Sequence, residues 1–174
     1  MNSLEHAPTS VNQKSVARRA SLLKALKGLL PESEFLTSSE LHEKFFALDE
    51  TSRYSITNST AAVRNDLVRG LLLEILNRDE SPLVRHEAAF ALGCVGDESC
   101  RVALRRTLID DESFLVRHEA AMALGELGTT DDLPALNLGL KDGSREVVIS
   151  CEVALNRILE RLSTNGVDSE EPSC

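Results

Sequence analysis

Ten residues, VRHEAAFALG at 84–93, return as VRHEAAMALG at 116–125, nine of the ten unchanged at a step of 32. A repeat with a period of roughly 20–50 residues restricts the fold severely: each unit can bury its apolar face only against its neighbours, so the units must stack into a solenoid. The match runs without a gap from 81–96 to 113–128. A weaker copy, VVISCEVAL at 147–155, places Cys151-Glu152 on the His-Glu position at a step of 33. An earlier candidate copy, HEKFFAL at 42–48, shares H-E-x-x-F-A-L with 86–92, and its spacing of 44 implies an insertion.

A short helical segment precedes each copy, at 15–30, 61–78, 98–108 and 131–140, and reads as the first helix of a pair. The second helices fall near 39–48, 82–95, 114–127 and 146–162. Ser81 and Ser113 suit the N-cap, and Pro82 suits the first helical position, where its missing donor costs nothing. Gly96 and Gly128 suit C-terminal stops. Apolar residues make up 42% of the chain and aromatics only 3%, so the core must be Leu, Val and Ala, which favours helices. The expected fold is all-α, an α-solenoid of about four helical hairpins. In this reading 1–14 is a flexible N-terminus and 15–162 the repeat domain. The Ser- and Thr-rich stretch 49–60 is a loop, and 163–174 is a polar, disordered tail.

The 28 acidic and 19 basic residues give a formal charge of −9, a sign that repels polyanions and argues against a nucleic-acid partner. Cys94, Cys100, Cys151 and Cys174 form no CxxC pair and no zinc spacing, which fits a reducing compartment. No apolar run reaches the ~18–20 residues of a membrane span, so a soluble, cytoplasmic protein is expected. Residues 7–31 carry Lys14, Arg18, Arg19, Lys24 and Lys27 without an acid, and Leu22, Leu23, Leu26, Leu29 and Leu30 make the segment an amphipathic helix. It reads as a first helix packed on the next one, with organelle targeting as the other reading.

On a helical wheel Val84, Ala88, Ala91, Leu92 and Val95 share one face, and Val116, Ala120, Ala123, Leu124 and Leu127 repeat it. Packing accounts for those positions, but nothing in a bare repeat demands His86-Glu87 and His118-Glu119. His86 lies nearly opposite the packing face beside Leu83 and Phe90, and His118 lies beside Leu115 and Met122. An apolar face that also carries titratable groups suits a covered or substrate-facing surface. Adjacent helices sit about 8–10 Å apart, so both imidazoles could reach one ion. Imidazole with carboxylate suits non-haem iron, manganese or zinc. The other reading is a surface copied along with its repeat. His42-Glu43 makes a weaker dyad, and Cys151 reads as a small buried residue rather than a thiolate ligand. There is no G-x-S-x-G, no phosphate-binding glycine loop and no HExxH, so no organic cofactor is expected.

The frame V-R-x-x-A-A-x-A-L-G resembles the second helix of HEAT-like repeats, in which Arg85 and Arg117 would make polar contacts between units. With its dyads, PLVRHEAAFALG at 82–93, FLVRHEAAMALG at 114–125 and SCEVAL at 150–155 resemble deoxyhypusine hydroxylase, a HEAT-repeat enzyme with a non-haem di-iron centre. The likeness covers 61–160 well and 20–60 loosely. That family carries two such halves in one chain, with the irons between them, and this chain resembles one half.

The resemblance implies that His86 and His118 supply imidazoles to one iron, that Glu87 is a carboxylate ligand reaching across from the opposing half, and that Glu119, as ligand and catalytic residue, stands nearer the substrate. It further implies iron, dioxygen as cosubstrate, and a homodimer or paralogous partner that completes the site, with two irons per dimer. A protein substrate with a modified lysine is the implied target. Two other functions fit the frame: a non-catalytic HEAT adaptor that binds a protein partner, and a protein resembling phycobilin lyase subunits, whose frame does not require His-Glu.

Overall fold

The computed structural model describes residues 38–60 and 66–167; the helix expected at 15–30 and the flexible N-terminus expected at 1–14 lie outside them. Among the described residues eight α-helices follow one another: α1 Ser38–Phe46, α2 Glu50–Thr60, α3 Asp66–Arg78, α4 Pro82–Val95, α5 Glu98–Asp110, α6 Phe114–Leu127, α7 Leu133–Gly139 and α8 Arg145–Val167. A 3₁₀ turn, Thr130–Asp132, leads into α7. The described residues contain no strand. Successive helices pair, and the pairs stack so that α1, α3, α5 and α7 form one layer and α2, α4, α6 and α8 the other.

Leu71, Leu72, Ile75, Leu104, Leu108 and Leu136 from the first layer fill the space between the two. The second layer is built on small residues. Val84, Ala88 and Ala91 on α4 are fully buried, as are Val116, Ala120 and Ala123 on α6 and Val147, Cys151 and Ala154 on α8. The spacing i, i+4, i+7 keeps each trio on one stripe, and the alanines let the helices approach closely. Gly93 marks a close approach between α4 and α6: a Cβ there would lie 2.8 Å from the Ala123 Cβ. Gly93→Val should therefore destabilise the fold by about 1–3 kcal/mol, read as a lower urea midpoint, because Ala123 has no side chain that can swing aside. A midpoint equal to that of the parent chain would mean that α4 and α6 part freely.

Sequence chemistry fixes the helix ends. Ser81 caps α4 by accepting from the Val84 N–H at 3.4 Å, and Pro82 occupies the first turn. Gly96 closes α4 with φ +33°, a conformation that an L side chain resists. Ser113 occupies the N-cap of α6 but makes no capping bond; its own N–H donates instead to Asp111 Oδ1 at 2.9 Å. Gly128 ends α6 as expected.

An arginine ladder joins the units. The Arg53 guanidinium grips Asp79 through Nε and Nη2 at 2.7 and 3.1 Å. Arg85 grips Asp111 in the same way at 2.9 and 3.0 Å, and Arg117 grips Asp142 at 2.8 and 3.0 Å. Each aspartate also accepts from the N–H two residues on, at Ser81, Ser113 and Ser144. The Asp79 and Asp111 carbonyls accept in turn from Nη1 of Arg85 and Arg117, both at 2.8 Å. These forked contacts satisfy both partners at every joint, and they realise the inter-unit role expected of Arg85 and Arg117.

The ladder also corrects the register at both ends of the solenoid. Residues 49–60 are not a loop: Asp49 caps α2 through the Ser52 N–H at 2.9 Å, and Arg53 stands one repeat before Arg85. The second helix of that unit is accordingly α2, while the expected 39–48 helix is α1, in the other layer against α3. His42-Glu43 therefore falls outside the dyad position; His42 pairs with Glu74 on α3. In the last unit Asp142, Ser144 and buried Val147 set a step of 31, so Cys151 takes the place of Ala120 and the His-Glu position holds Ile149-Ser150 rather than Cys151-Glu152. Cys151 is buried, as expected, and burial pushes its thiol up to about 11. Residues 163–167 continue α8 rather than forming a disordered tail, and 168–174 lie outside the described residues.

Candidate functional site

With the arginines in register, the next two residues of each second-layer helix form two rows. Tyr54, His86, His118 and Ile149 make the first, and Ser55, Glu87, Glu119 and Ser150 the second. Members of the first row meet members of the second on the following helix. His86 Nε2 lies 3.3 Å from Glu119 Oε2, and His118 Nδ1 lies 2.6 Å from Ser150 Oγ. On α2 the Glu87 charge raises the Tyr54 phenol above its ordinary value.

His86 does not stand clear on the far side of its helix. It is half-buried in the seam between α4 and α6, with Nδ1 3.5 Å from Glu87 Oε1. The Glu119 carboxylate, foremost, and then the Glu87 charge hold the imidazole above its ordinary pKa against the opposing effect of burial. A raised folded-state value stabilises the fold fully below the unfolded value near 6.5 and loses that contribution as pH rises through the folded value. His86→Gln should accordingly cost most stability between about pH 5 and 6, and the gap from the parent chain should close toward alkaline pH. Thermal midpoints across that range check it, and a gap constant with pH would refute the charged contact.

The network around His118 sets its tautomer. Ser150 Oγ–H donates to the Glu146 carbonyl at 2.7 Å, so the hydroxyl must accept from His118 Nδ1–H. In the neutral ring Nε2 then carries the lone pair, the arrangement in which a second residue orients a histidine for a cation. The donor types of the two dyads thus fit a metal. The geometry sets His86 between Glu87, at Nδ1, and Glu119, at Nε2, whereas His118 takes Ser150 as its partner. Among the described residues no three His, Cys, Asp or Glu side chains converge as a metal-holding group.

Exposed apolar side chains flank the rows at Leu83, Phe90 and Leu115, and Ile149, the last member of the first row, is exposed as well. A cleft of about 140 Å³ opens beside Glu119, lined by Phe90, Gly93, Cys94, Met122, Ala123 and Glu126. A larger groove, about 640 Å³, lies between α3 and α5 in the other layer, and none of the dyad residues lines it. Sequence reasoning missed Tyr54 and Ser150. The signal for Tyr54 was Arg53, a step of 32 before Arg85, and the signal for Ser150 was the Asp-x-Ser motif at Asp142, which resets the register of the last unit.

A family model of HEAT repeats matches residues 70–156. Among solved structures, human deoxyhypusine hydroxylase in complex with glycerol is similar to this chain, with 32% sequence identity and a TM-score of 0.60 over 75% of this chain and 46% of that one. The chain thus spans less than half the length of that protein. No curated protein sequence matches. No helix among the described residues is long and apolar enough to cross a membrane.

Proposed function

The chain belongs to the HEAT-repeat family, and from that premise we propose that it is a metal-binding, deoxyhypusine hydroxylase-like protein whose site is completed by a second chain. One observation carries this reading: two His-Glu dyads stand on adjacent helices, α4 and α6, in a chain 32% identical to that hydroxylase. His86, Glu87, His118 and Glu119 are the residues that would hold the metal. Iron held there would supply the dioxygen-dependent chemistry of a non-haem hydroxylase.

The chain's own residues prepare the surface. Ser150 fixes His118 with Nε2 outward from its hydrogen bond, and Glu87 and Glu119 concentrate negative charge on either side of His86. Binding a cation requires His86 to give up the proton that its carboxylates favour, so affinity should rise with pH. Because the described residues of one chain do not gather three converging donors, a homodimer or a paralogous half supplies the rest. An isologous two-fold contact would bring two copies of the dyad face together. Exposed Leu83, Phe90 and Leu115 suit such a covered face, and a protein bearing a modified lysine is the substrate class this likeness suggests.

Metal content of the full chain, purified without chelators and reconstituted anaerobically with ferrous iron, tests the proposal. The expected result is about one iron per chain in a dimer, with loss in both His86→Ala and His118→Ala. Full retention of iron by both variants would overturn it.

A second reading, a HEAT adaptor, is favoured by the rungs themselves. His86–Glu119 and His118–Ser150 join neighbouring helices directly, a structural use for the dyads, and the exposed apolar residues beside them suit a protein ligand. It predicts metal-free protein and a partner whose binding survives the same two alanine substitutions.

A further inference from the structure

We propose that Tyr54 is a positioning residue for the Glu87 carboxylate, holding it in place from the preceding repeat. The arginine ladder sets the register of the second-layer helices. Arg53, Arg85 and Arg117 each grip an aspartate of the following unit, so the residue after each arginine occupies an equivalent place on α2, α4 and α6. Two of those residues have geometry that defines the rule: His86 reaches Glu119 at 3.3 Å, and His118 reaches Ser150 at 2.6 Å, each one helix further on. Tyr54 is the first member of the row, α2 packs directly on α4, and the partner that the rule gives it is Glu87.

Glu87 also faces His86 Nδ1 at 3.5 Å, so a phenol paired with it would leave its carboxylate between that phenol and an imidazole. The phenol is a donor that a carboxylate can accept, and it delivers no competing negative charge. The dyad position of α2 reads Tyr54-Ser55, with no imidazole and no acid. This helix therefore contributes a hydrogen bond to the first dyad in place of a dyad of its own. Hydrogen bonds of this kind to a ligating carboxylate typically govern 10–100-fold in metal affinity. That consequence rests on the metal-binding reading above; the Tyr54–Glu87 pairing does not.

Tyr54 is the only tyrosine in the chain, and there is no tryptophan, so tyrosine emission reports this side chain alone. In the metal-free full chain Glu87→Gln should raise the emission, because a carboxylate that accepts from the phenol quenches it. Unchanged emission would overturn the pairing. Cobalt(II) alone then probes the consequence. Tyr54→Phe, which keeps the ring, should bind it about 10-fold more weakly or worse and shift its absorption spectrum, at an unchanged thermal midpoint. In a Glu87→Gln background the same substitution should add nothing. Parent-like affinity and spectrum in Tyr54→Phe would overturn positioning. Parent chain that takes up neither cobalt nor iron while its emission still answers to Glu87→Gln would support the pairing and sink the metal reading instead.

Discussion

Arg85→Ala should lower the unfolding free energy by about 3–5 kcal/mol, the usual cost of removing one partner from a buried, hydrogen-bonded ion pair. The Arg85 and Asp111 side chains are only 8% and 9% exposed. Truncation would strand the Asp111 carboxylate with a single remaining donor, the Ser113 N–H, and would remove the guanidinium bond to the Asp79 carbonyl. Arg117→Ala should cost less: its pair with Asp142 is 16% and 12% exposed, and water can screen the charge left behind. Removing Asp111 together with Arg85 should recover part of the loss, because the stranded carboxylate disappears with its partner. Urea denaturation of the three variants measures each difference. A loss below about 1 kcal/mol in Arg85→Ala would mean that packing of the small-residue stripe alone joins α4 to α6.

Where sequence and structure agree, the chain had repeated itself. Helices α4 and α6 follow from an identical nine-letter frame, Pro82 and two terminal glycines, and their buried stripes are the ones a wheel of period 3.6 gives. The outer units were misplaced because likeness of letters there points to the wrong positions. HEKFFAL shares five letters with 86–92 of the second-helix frame, yet Phe45 serves the core of the first layer. The true equivalent, α2, offers Ser52, Ser55, Thr57 and Ser59 where α4 has valine, glutamate and alanines. Thr57 and Thr60 are tolerated in a buried face because their hydroxyls donate to carbonyls of their own helix, Arg53 O at 2.8 Å and Thr57 O at 2.6 Å. Such bonds are invisible in a hydropathy pattern, so a Ser/Thr-rich helix reads as a loop.

The dyads were legible as a repeated anomaly, but their surroundings were not. Reading His86 as opposite the packing face neglects the flank: a residue there meets the next helix of a solenoid, and Glu119 is what it meets. The same neglect hid Ser150. Matching Cys151-Glu152 to His-Glu satisfied one shared letter, whereas Asp142-x-Ser144 and the buried stripe of Val147, Cys151 and Ala154 satisfy hydrogen bonding and packing together. Backbone donors and buried methyl groups are what a repeat must conserve to stack, and they set the register more firmly than surface letters do.

Asp132→Ala is the second large loss, again about 3–5 kcal/mol, and it should open the molecule from one end rather than through its middle. Asp132 is fully buried at the turn between α6 and α7. It accepts from the Thr129 N–H at 2.7 Å, pairs through Oδ1 with Arg105 on α5, and stands 3.8 Å from Arg101 Nε. One carboxylate thus ties the last helical pair to the pair before it, and alanine would leave two guanidiniums facing a methyl group. Asp132→Asn should fall between, since its amide oxygen still serves Thr129 while the charge is lost. Because Ser150 on α8 orients His118 on α6, loosening this end reaches the dyad surface without touching a dyad residue. Amide hydrogen exchange distinguishes the two routes. Asp132→Ala should raise exchange in α7 and α8 first while α3 and α4 keep their protection, whereas Arg85→Ala should lower protection in α4 and α6 together. Uniform loss along all helices in Asp132→Ala would show that the solenoid opens as one cooperative unit and that this aspartate has no local hold on its last pair.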